Sequence, residues 1–484
     1  MSRYLRRAPP ACAVVLAALW PLAAAAAGAA PPTADASYDA LAHDIFKQLI
    51  EIDTSDSTGN VTTAAEALAQ RFRDAGFPGA DLALLGPKDS KKNLVVRLHG
   101  SGAHKPLLLI GHLDVVEAKR ADWTTDPYKL IEKDGYYYGR GTIDMKDGDA
   151  VMAAALIRMK KDDFHPSRDI IAAFTADEEG GCCNGVSWLL KNHRELIDAE
   201  FVLNQDDWSV MAVHGAPRVA RLIASEKLYS DYQLSVTNRG GHSSVPRPDN
   251  AIYELARALT RLARFQFPFE LNSVNRGYFE QLAEVSTAQD AADMRALLKD
   301  PPDALAIARL SRDPDNVSVT RTTCVATRLA AGHANNALPQ RAEAVVNCRI
   351  FPGHSKEEIR QTLIKALNDP QISVRYVADD GSIFERGTDE RAVAPAPLRP
   401  EVMKALTTLS QSAWPQAKVI PFLDPGASDA KYTVAAGLPT YTFGGVAVDR
   451  DDVRAHGRDE RLAVAEFYKW NRFFQRYLAS LSAQ

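Results

Sequence analysis

The sequence contains few cysteines and only one long apolar run, and each shortage excludes a class of protein. Only five cysteines occur among 484 residues, which excludes a disulfide scaffold, because a chain of this length can bury a core without covalent links. No two of these cysteines have C-x-x-C spacing, which argues against a thiolate zinc site. Beyond residue 30, no segment approaches the ~20 apolar residues that a membrane-spanning helix needs.

The chain also lacks a strong charge of either sign. Its formal net charge at pH 7 is -4, which provides no electrostatic attraction to nucleic acid or to an anionic membrane. With 46% hydrophobic and 24% charged residues, the composition is that of a soluble globular protein. At about 100–200 residues per domain, the length predicts two or three folding units.

Residues 1–30 differ from the rest of the chain. Three arginines among the first seven residues precede an apolar stretch at 11–22 and an alanine-rich stretch at 23–30. This three-part layout is typical of a secretory signal peptide. The alternative is an uncleaved anchor helix, but the apolar stretch is short and Pro21 interrupts it. We therefore expect a secreted or periplasmic protein with no membrane attachment after cleavage.

Four cysteines remain beyond this leader. Cys324 and Cys348 lie in two strand-like segments and could pair in an oxidising compartment. We expect Cys182 and Cys183 to be packed thiols beside a functional site.

The first half of the chain alternates short apolar runs with amphipathic segments. Such alternation predicts an α/β sheet with helices on its faces. The predicted strands are 93–98, 107–110, 170–175 and 201–204, and the predicted helices are 41–50, 62–75, 150–160 and 186–193.

Near residue 220 the pattern changes to alternating polar and apolar residues, which favours an α+β domain with an open four-stranded sheet and helices on one face. Its predicted elements are strands at 231–237, 318–326 and 342–350, helices at 251–264 and 356–368, and a polar, helix-prone insertion at 272–313. From residue 400 the α/β pattern returns and ends in a helix predicted at 459–481. The predicted organisation is a signal peptide at 1–30, a catalytic domain at 31–220 and 393–484, and an inserted domain at 221–392.

Chemistry-bearing residues follow several of these apolar runs. In GHLDVV, residues 111–116, His112 and Asp114 are two apart, so in an extended segment they point to the same side. The carboxylate could then orient the imidazole as a metal ligand. Taken alone, a hydrogen-bonded pair at a strand end is the simpler interpretation.

In GRGTIDMKDGDA, residues 139–150, Asp144 stands just ahead of a predicted helix, where helix capping is an equally good explanation. TADEEGG, residues 175–181, places three consecutive carboxylates at a strand end, where they repel one another unless cations or protons intervene. Because Glu178 and Glu179 point to opposite sides of an extended chain, one can bind metal while the other faces a substrate. A solvated acidic turn is the alternative.

Two further segments carry potential ligands, NQDDW at 204–208 and DDVRAHGRDER, with His456, at 451–461. Strand ends carrying histidine or carboxylate place these groups along one edge of an α/β sheet, where such folds locate their sites. Histidine and carboxylate ligands without cysteine suit hydrolytic zinc. The large number of carboxylates favours two metal ions rather than one. A remaining carboxylate can serve as a general base.

In this order, the motifs resemble the zinc exopeptidase and acylase family that includes carboxypeptidase G, aminoacylase, carnosinase and succinyl-diaminopimelate desuccinylase, over nearly all of the chain after the leader. The resemblance implies two Zn²⁺ ions per subunit, with Co²⁺ or Mn²⁺ as alternatives. It also implies that Asp144 bridges both ions and is followed by a cis peptide. The implied metal ligands are His112, Asp144, Glu179, Asp206 (with Asp207 as the alternative) and His456.

The same resemblance implies roles for residues that do not bind metal. Glu178 would be the general base and Asp114 would orient His112. In RGGHSSVPRPDNA, His242 would polarise the scissile carbonyl, often in the partner subunit's site, which implies a homodimer. The implied substrate-binding residues are Asn336, Arg349, which would hold the substrate carboxylate, Gly426 and Ser428. The family's usual Asp-x-Arg is Asn347-Cys348-Arg349 here, so the setting of the arginine differs.

The function implied is hydrolysis of a peptide or amide bond next to a free carboxylate. Within the same chemistry, the alternatives are an N-acyl-amino-acid hydrolase and an aminopeptidase-like dipeptidase. A non-catalytic binding protein on this fold is a further alternative, but every metal position retains a competent side chain.

Overall fold

The computed structural model of the protein describes residues 34–395 and 397–483. The predicted signal peptide lies outside the described residues. Among those residues, none of the helices combines the length and apolar character that crossing a bilayer requires.

The strands, in chain order, are β1 (Leu82–Leu85), β2 (Asn93–Leu98), β3 (Leu107–His112), β4 (Ile131–Lys133), β5 (Tyr136–Tyr138), β6 (Ile170–Thr175), β7 (Phe201–Asn204), β8 (Val210–Val213), β9 (Ala216–Glu226), β10 (Leu228–Thr237), β11 (Gly241–His242), β12 (Thr323–Ala331), β13 (Ala337–Leu338), β14 (Arg341–Ile350), β15 (Ser373–Val377), β16 (Ile383–Phe384), β17 (Lys418–Asp424), β18 (Thr440–Thr442), β19 (Ala447–Asp449) and β20 (Arg461–Ala463).

The helices are α1 (Ala34–Ile50), α2 (Val61–Asp74), α3 (Lys146–Lys161), α4 (Gly185–Asn192), α5 (Arg194–Ile197), α6 (Ala251–Arg264), α7 (Ser273–Leu282), α8 (Ala288–Leu297), α9 (Ala304–Leu310), α10 (Pro314–Thr320), α11 (Lys356–Leu367), α12 (Pro400–Ala413), α13 (Ala430–Ala435) and α14 (Val464–Ser482). Short 3-10 turns occur at Gly79–Asp81, Arg120–Asp122 and Arg450–Asp452.

A ten-stranded mixed sheet forms the centre of the molecule, in the order β1-β2-β6-β3-β7-β18-β9-β8-β19, with β17 also paired to β9. Its central strands β6, β3, β7 and β18 are parallel. Every residue of β3 and β6 is buried, as expected for parallel strands covered on both faces. This confirms the predicted α/β class.

A second sheet, in the order β12-β14-β10-β15-β16, is antiparallel throughout. Helices α6 and α11 cover one face and share a buried apolar cluster with Tyr232 and Val346. The sheet has five strands rather than the predicted four, because the two-residue strand β16 pairs at its edge. Cys324 and Cys348, which face each other across β12 and β14, form a disulfide.

The segment predicted as a polar insertion folds into α7–α10. These helices pack on the large sheet rather than the small one: the rings of Tyr278 and Phe422 lie 5.5 Å apart between centroids, and Phe279 and Ile420 belong to the same buried cluster. Residue 221, the predicted start of the inserted domain, falls within β9, which belongs to the large sheet.

Several predicted boundaries were wrong, including the starts of α1 and α3, which begin at Ala34 and Lys146 rather than at residues 41 and 150. The strand predicted from residue 318 begins at Thr323, because the residues up to Thr320 belong to helix α10. This helix is favoured at its start, where Asp313 is the N-cap and Pro314 lies in the first turn. The helix predicted from residue 459 begins at Val464, because Arg461–Ala463 pair with β5. One side of this helix is buried, namely Phe467, Trp470, Phe474, Tyr477 and Leu481.

Candidate metal centre

Three parallel strands deliver the motif residues to one edge of the large sheet. His112 at the end of β3 is paired with Thr175 at the end of β6, and Ile110 is paired with Asn204 at the end of β7. The carboxyl ends of parallel strands meet at the same edge. The residues that follow these strands therefore converge, although they are far apart in the sequence.

The first group of potential ligands is centred on His112, which is 1% exposed. Its Nε2 lies 3.3 Å from Oδ1 of Asp144 and 3.6 Å from Oδ1 of Asp206. Its Nδ1 lies 3.0 Å from the Asp114 carbonyl oxygen; when Nδ1–H donates to that carbonyl, Nε2 presents a lone pair. Within the described part of the chain, this buried Nε2 has no hydrogen-bond partner. A buried lone pair facing two carboxylate oxygens fits a divalent cation.

The second group is centred on His456, whose Nε2 lies 3.0 Å from Oδ2 of Asp144 and 2.9 Å from Oε1 of Glu179. Asp144 thus contributes one oxygen to each group. A carboxylate shared in this way is what two neighbouring cations require of a bridging ligand. The donors of the two groups are imidazoles and carboxylates without thiolates, which suits hydrolytic zinc.

Asp144 is held by a loop that begins at Gly141, which has a φ of 87°. The peptide bond from Asp144 to Met145 is cis, as the family resemblance implies. Glu460, which is fully buried, accepts hydrogen bonds from Arg140 Nη1 (2.6 Å) and from the backbone N–H of Ile143 (2.9 Å). It thereby ties the Asp144 loop to the segment that carries His456. The sequence analysis did not identify Glu460.

Asp114 supports the turn that carries Glu178 and Glu179. Its carboxylate accepts hydrogen bonds from the backbone N–H of Glu178 (3.2 Å) and of Glu179 (3.0 Å). The Asp114 carboxylate lies 3.8 Å from Nδ1 of His112, too far for a hydrogen bond, so it is the carbonyl of Asp114 that contacts the imidazole. The predicted contact through the carboxylate is corrected in this respect.

Glu178 has the environment of a proton acceptor. Burial, followed by the nearby Asp206 carboxylate, raises the pKa of Glu178 well above its usual value. A carboxylate with a raised pKa can take a proton from water and release it again near neutral pH. A cation bound at Asp206 and Asp144 would offset part of this repulsion.

The two aspartates in NQDDW have different surroundings. Asp206 faces His112, as described above, and its backbone N–H donates to Oδ1 of Asn204. Asp207 instead accepts hydrogen bonds from Arg221 Nη2 (3.1 Å) and Ser209 Oγ (2.6 Å). The geometry therefore favours Asp206 over Asp207 as the ligand.

His242 and Asn336 are brought together by the small ribbon of β11 and β13. His242 is paired with Ala337, and the backbone N–H of Ser243 donates to the Asn336 carbonyl (3.1 Å). The His242 side chain is exposed, and its Nδ1 lies 2.7 Å from Oγ of Ser244. Among the described residues, no hydrogen bond or ion pair joins the His242 side chain to either ligand group. The structure thus does not bring His242 to the ligands of its own chain.

Of the other predicted substrate residues, Arg349 lies near the end of β14, opposite Tyr229 in β10, and Gly426 and Ser428 follow β17. The Arg349 guanidinium lies 4.9 Å from the ring centroid of Tyr229. Ser428 Oγ donates to Oε1 of Glu226 (2.6 Å) and accepts from Nδ2 of Asn204 (3.0 Å). At Gly426, a Cβ would lie 2.6 Å from Oδ2 of Asp424. Any other residue at this position would therefore displace the Asp424 carboxylate. The sequence analysis missed Glu226, which has no local signal.

Cys182 and Cys183 follow the acidic turn directly. They form a disulfide with each other, so the prediction of packed thiols was wrong. The next residue, Asn184, caps α4 by accepting a hydrogen bond from the backbone N–H of Ser187.

Comparisons with known proteins identify relatives of this chain. "Probable carboxypeptidase S-like 2" of Dictyostelium discoideum is 29% identical over 375 residues, covering 75% of this chain and 69% of that protein. "N-fatty-acyl-amino acid synthase/hydrolase PM20D1" of Homo sapiens is 25% identical over 371 residues, covering 75% and 71%.

Solved structures share the fold. The metallo-carboxypeptidase Sso-CP2 of Sulfolobus solfataricus superposes with a TM-score of 0.63 at 16% identity, covering 90% of this chain and 98% of that one. Human carnosine dipeptidase 1 has a TM-score of 0.63 at 15% identity, covering 94% and 100%. The model of peptidase family M20/M25/M40 matches residues 108–480. The chain therefore belongs to peptidase family M20/M25/M40 and is a metal-dependent hydrolase of peptide or amide bonds.

Proposed function

We propose that the protein hydrolyses an amide bond next to a free carboxylate, using two divalent cations, with zinc as the preferred metal and Co²⁺ or Mn²⁺ as alternatives. The observation that carries the proposal is the sharing of Asp144 between two histidine-containing ligand groups, with Glu178 beside them. Bound cations would polarise the scissile carbonyl and acidify the attacking water.

The residues of the chain account for the remaining steps. Glu178 takes a proton from the water as the water oxygen attacks the carbonyl carbon. It then delivers this proton to the amide nitrogen as the C–N bond breaks. The Asp114 carboxylate fixes the position of Glu178 by accepting a hydrogen bond from the backbone N–H of Glu178. His242 donates a hydrogen bond to the carbonyl oxygen as negative charge develops there.

Arg349 is assigned to the substrate carboxylate. Its guanidinium packs on the Tyr229 ring, and it is only partly buried. A planar guanidinium can bind a carboxylate through two parallel hydrogen bonds. Hydrolysis would therefore favour substrates with a free carboxylate over their amides or esters.

The proposed functional unit is a homodimer in which the partner subunit's His242 completes the site. Two observations support this. His242 is exposed and makes its side-chain hydrogen bonds with Ser244. Strand β12 forms an edge of the small sheet, on which Val325 and Leu329 are 59% and 67% exposed. Mixing inactive Glu178→Gln with inactive His242→Ala should restore activity through hybrid dimers. A monomer by light scattering, or no recovery on mixing, would contradict this arrangement.

An N-acyl amino acid is the second candidate substrate, because an apolar cavity of about 70 Å³ lies beside the site. It is lined by Ile223, Leu228, Val393 and Val434, and also by Lys431, which lies in the electrostatic field of Glu178. The human relative is named as an N-fatty-acyl-amino acid synthase/hydrolase. A short apolar acyl chain would fit the apolar part of this cavity, which is also lined by Glu226, Lys227, Glu390 and Arg391.

A single screen tests both candidates and the non-catalytic alternative. Dipeptides and N-acyl amino acids of increasing chain length are assayed with and without a chelator, and metal content is measured on the same preparation. Hydrolysis that a chelator abolishes and zinc restores supports the proposal. Fewer than one metal ion per chain together with no turnover would favour a binding protein. The proposed export is tested separately by N-terminal sequencing of protein recovered outside the cytoplasm.

A further inference from the structure

The acidic turn contains a third carboxylate, Asp177, that belongs to neither of the two catalytic ligand groups. Asp177 directly precedes Glu178, is 4% exposed and has a φ of 58°. Three adjacent carboxylates in one turn repel one another, so a buried Asp177 needs a compensating positive charge.

That charge is supplied by Lys91. Its Nζ lies 2.5 Å from Oδ1 of Asp177 and 2.8 Å from Oδ1 of Asp56. The Lys91 and Asp177 side chains are 9% and 1% exposed, whereas that of Asp56 is 60% exposed. Lys91 thus has one buried partner and one partner in solvent, and only the buried ion pair is shielded from water.

The backbone around Lys91 is itself held firmly. The backbone N–H of Lys92 donates to Thr62 Oγ1 (2.9 Å) at the start of α2, and that of Lys91 donates to the Lys88 carbonyl (3.1 Å). A Cβ on Gly86 would lie 2.2 Å from the Lys91 carbonyl oxygen, so the loop is closely packed. The ammonium therefore reaches Asp177 from a fixed position.

Asp177 also makes hydrogen bonds within the turn that carries Glu178 and Glu179. Its Oδ2 accepts from the backbone N–H of Cys183 (3.2 Å), and its carbonyl accepts from Nδ2 of Asn184 (3.2 Å). On the opposite side, Asp114 holds the backbone of Glu178 and Glu179. Loss of the contact with Lys91 would release one of these two attachments.

We infer that Lys91 is a positioning residue, whose ion pair with Asp177 fixes the turn that presents Glu178 and Glu179. The kinetic part of this inference rests on the proposed function, but the structural part does not. Misplacing a reactive group by about 1 Å can cost about 100-fold in rate, so the ion pair should affect kcat more than KM.

The kinetic test compares Lys91→Met, Lys91→Arg and Asp56→Asn. Lys91→Met should lower kcat by about 100-fold with KM within about threefold and the metal content unchanged. Lys91→Arg should recover most of the activity, since it restores the charge. Asp56→Asn, the matched control, removes only the solvent-exposed partner and should keep kcat within about twofold. A Lys91→Met enzyme with wild-type kcat would overturn the inference.

A second readout does not depend on activity. The Cys182–Cys183 disulfide lies in the same turn, and the Cys324–Cys348 disulfide in the small sheet is an internal reference. Limiting dithiothreitol transfers two electrons and two protons to a disulfide and itself becomes the cyclic disulfide; alkylation and mass spectrometry then give the rate at each pair. Lys91→Met should accelerate reduction of Cys182–Cys183 by about tenfold, as expected for local opening of the turn, and leave Cys324–Cys348 unchanged.

Acceleration at both disulfides, or at neither, would contradict a local positioning role. If Lys91→Met does not fold, Lys91→Met/Asp177→Asn removes the unpaired charge as well. This double variant should still show the faster reduction, and wild-type rates in it would overturn the inference. If the wild-type protein hydrolyses nothing, the proposed function fails, while the disulfide comparison still tests Lys91.

Discussion

Nε2 of His456 lies 3.0 Å from Oδ2 of Asp144, although the whole small sheet separates these two residues in the sequence. Asp144 also contacts His112 through its other oxygen. The two ligand groups are therefore not independent: both depend on one carboxylate, while each has its own histidine.

Replacing Asp144 should therefore remove both metal sites, whereas replacing His456 should weaken only one. Asp144→Ala should reduce the metal content from about two ions per chain to about zero, and His456→Ala to about one. Plasma mass spectrometry of gel-filtered protein measures both. Equal metal loss in the two variants would contradict the shared-ligand arrangement.

The neighbouring aspartates of NQDDW should respond differently to the same substitution. Asp206→Asn should weaken binding of one metal by at least about tenfold and leave the unfolding free energy of the metal-free protein nearly unchanged. Asp207→Asn should retain both metals but lower the unfolding free energy by about 1–3 kcal/mol, because Arg221 loses its charged partner. Metal titration and urea unfolding distinguish the two, and the reverse pattern would assign the ligand to Asp207.

Glu178→Gln should lower kcat by about 10²–10⁴-fold and leave the metal content unchanged. The amide has nearly the same shape but cannot accept the proton from water. Stopped-flow or discontinuous assays on the best substrate measure the loss. A variant that keeps its metals and most of its activity would rule out Glu178 as the base.

Glu226 should make stability depend on pH. Burial, and then Asp424, raises the pKa of Glu226 to about 7, so between about pH 4.5 and pH 7 the native protein holds a proton that the unfolded chain releases. The stability contributed by this proton is complete below pH 4.5 and is lost as the pH rises through 7, by up to about 3 kcal/mol.

Urea unfolding at pH 5, 6, 7 and 8 tests this sign. Relative to the wild type, Glu226→Gln should become progressively more stable as the pH rises. Glu357→Gln is the control, because hydrogen bonding to Arg360 holds the pKa of Glu357 at about 2. Its effect on stability should be constant over this range, since that carboxylate titrates only at lower pH. Parallel pH profiles for wild type and Glu226→Gln would refute the assignment.

Gly111→Ala should destabilise the protein. A Cβ at this position would lie 2.6 Å from Asp149 Oδ1, 2.7 Å from Met152 Cε and 2.8 Å from Met145 Cε. Crowding of this kind in a packed interior costs about 1–3 kcal/mol. Gly79→Ala, where no atom lies within 4 Å of the new Cβ, should be neutral in the same thermal unfolding assay.

The sequence predicted four strands of the large sheet, β2, β3, β6 and β7, and the motifs that follow three of them, because an apolar run followed by polar residues is a local signal. The strand at 170–175 and the candidate ligands His112 and Asp144 are examples. Residues that act from elsewhere in the chain gave no such signal. Lys91 and Glu460 are ordinary charged residues in the sequence, and their importance comes from partners that only folding brings near.

The same reasoning explains the errors. The start of β12 depends on how far α10 extends, and the start of α14 depends on the pairing of β20 with β5, so neither boundary is set by its own residues. The Cys182–Cys183 disulfide likewise depends on the conformation of the turn. The sequence alone did not decide whether Asp206 or Asp207 is the candidate metal ligand, because the partner of Asp207 is Arg221, which lies 14 residues further along the chain.

The place of β18 in the large sheet has a consequence for biosynthesis. This strand lies between β7 and β9, yet it is translated long after both of them. Wherever the chain emerges N-terminus first and begins to fold, β7 therefore has an unpaired edge until β18 arrives, and exposed strand edges promote aggregation. The sheet can be completed, and His456 can reach Asp144, only after residues 440–456 have been synthesised. A chaperone that binds the partly emerged chain should therefore act on the unpaired edge of β7.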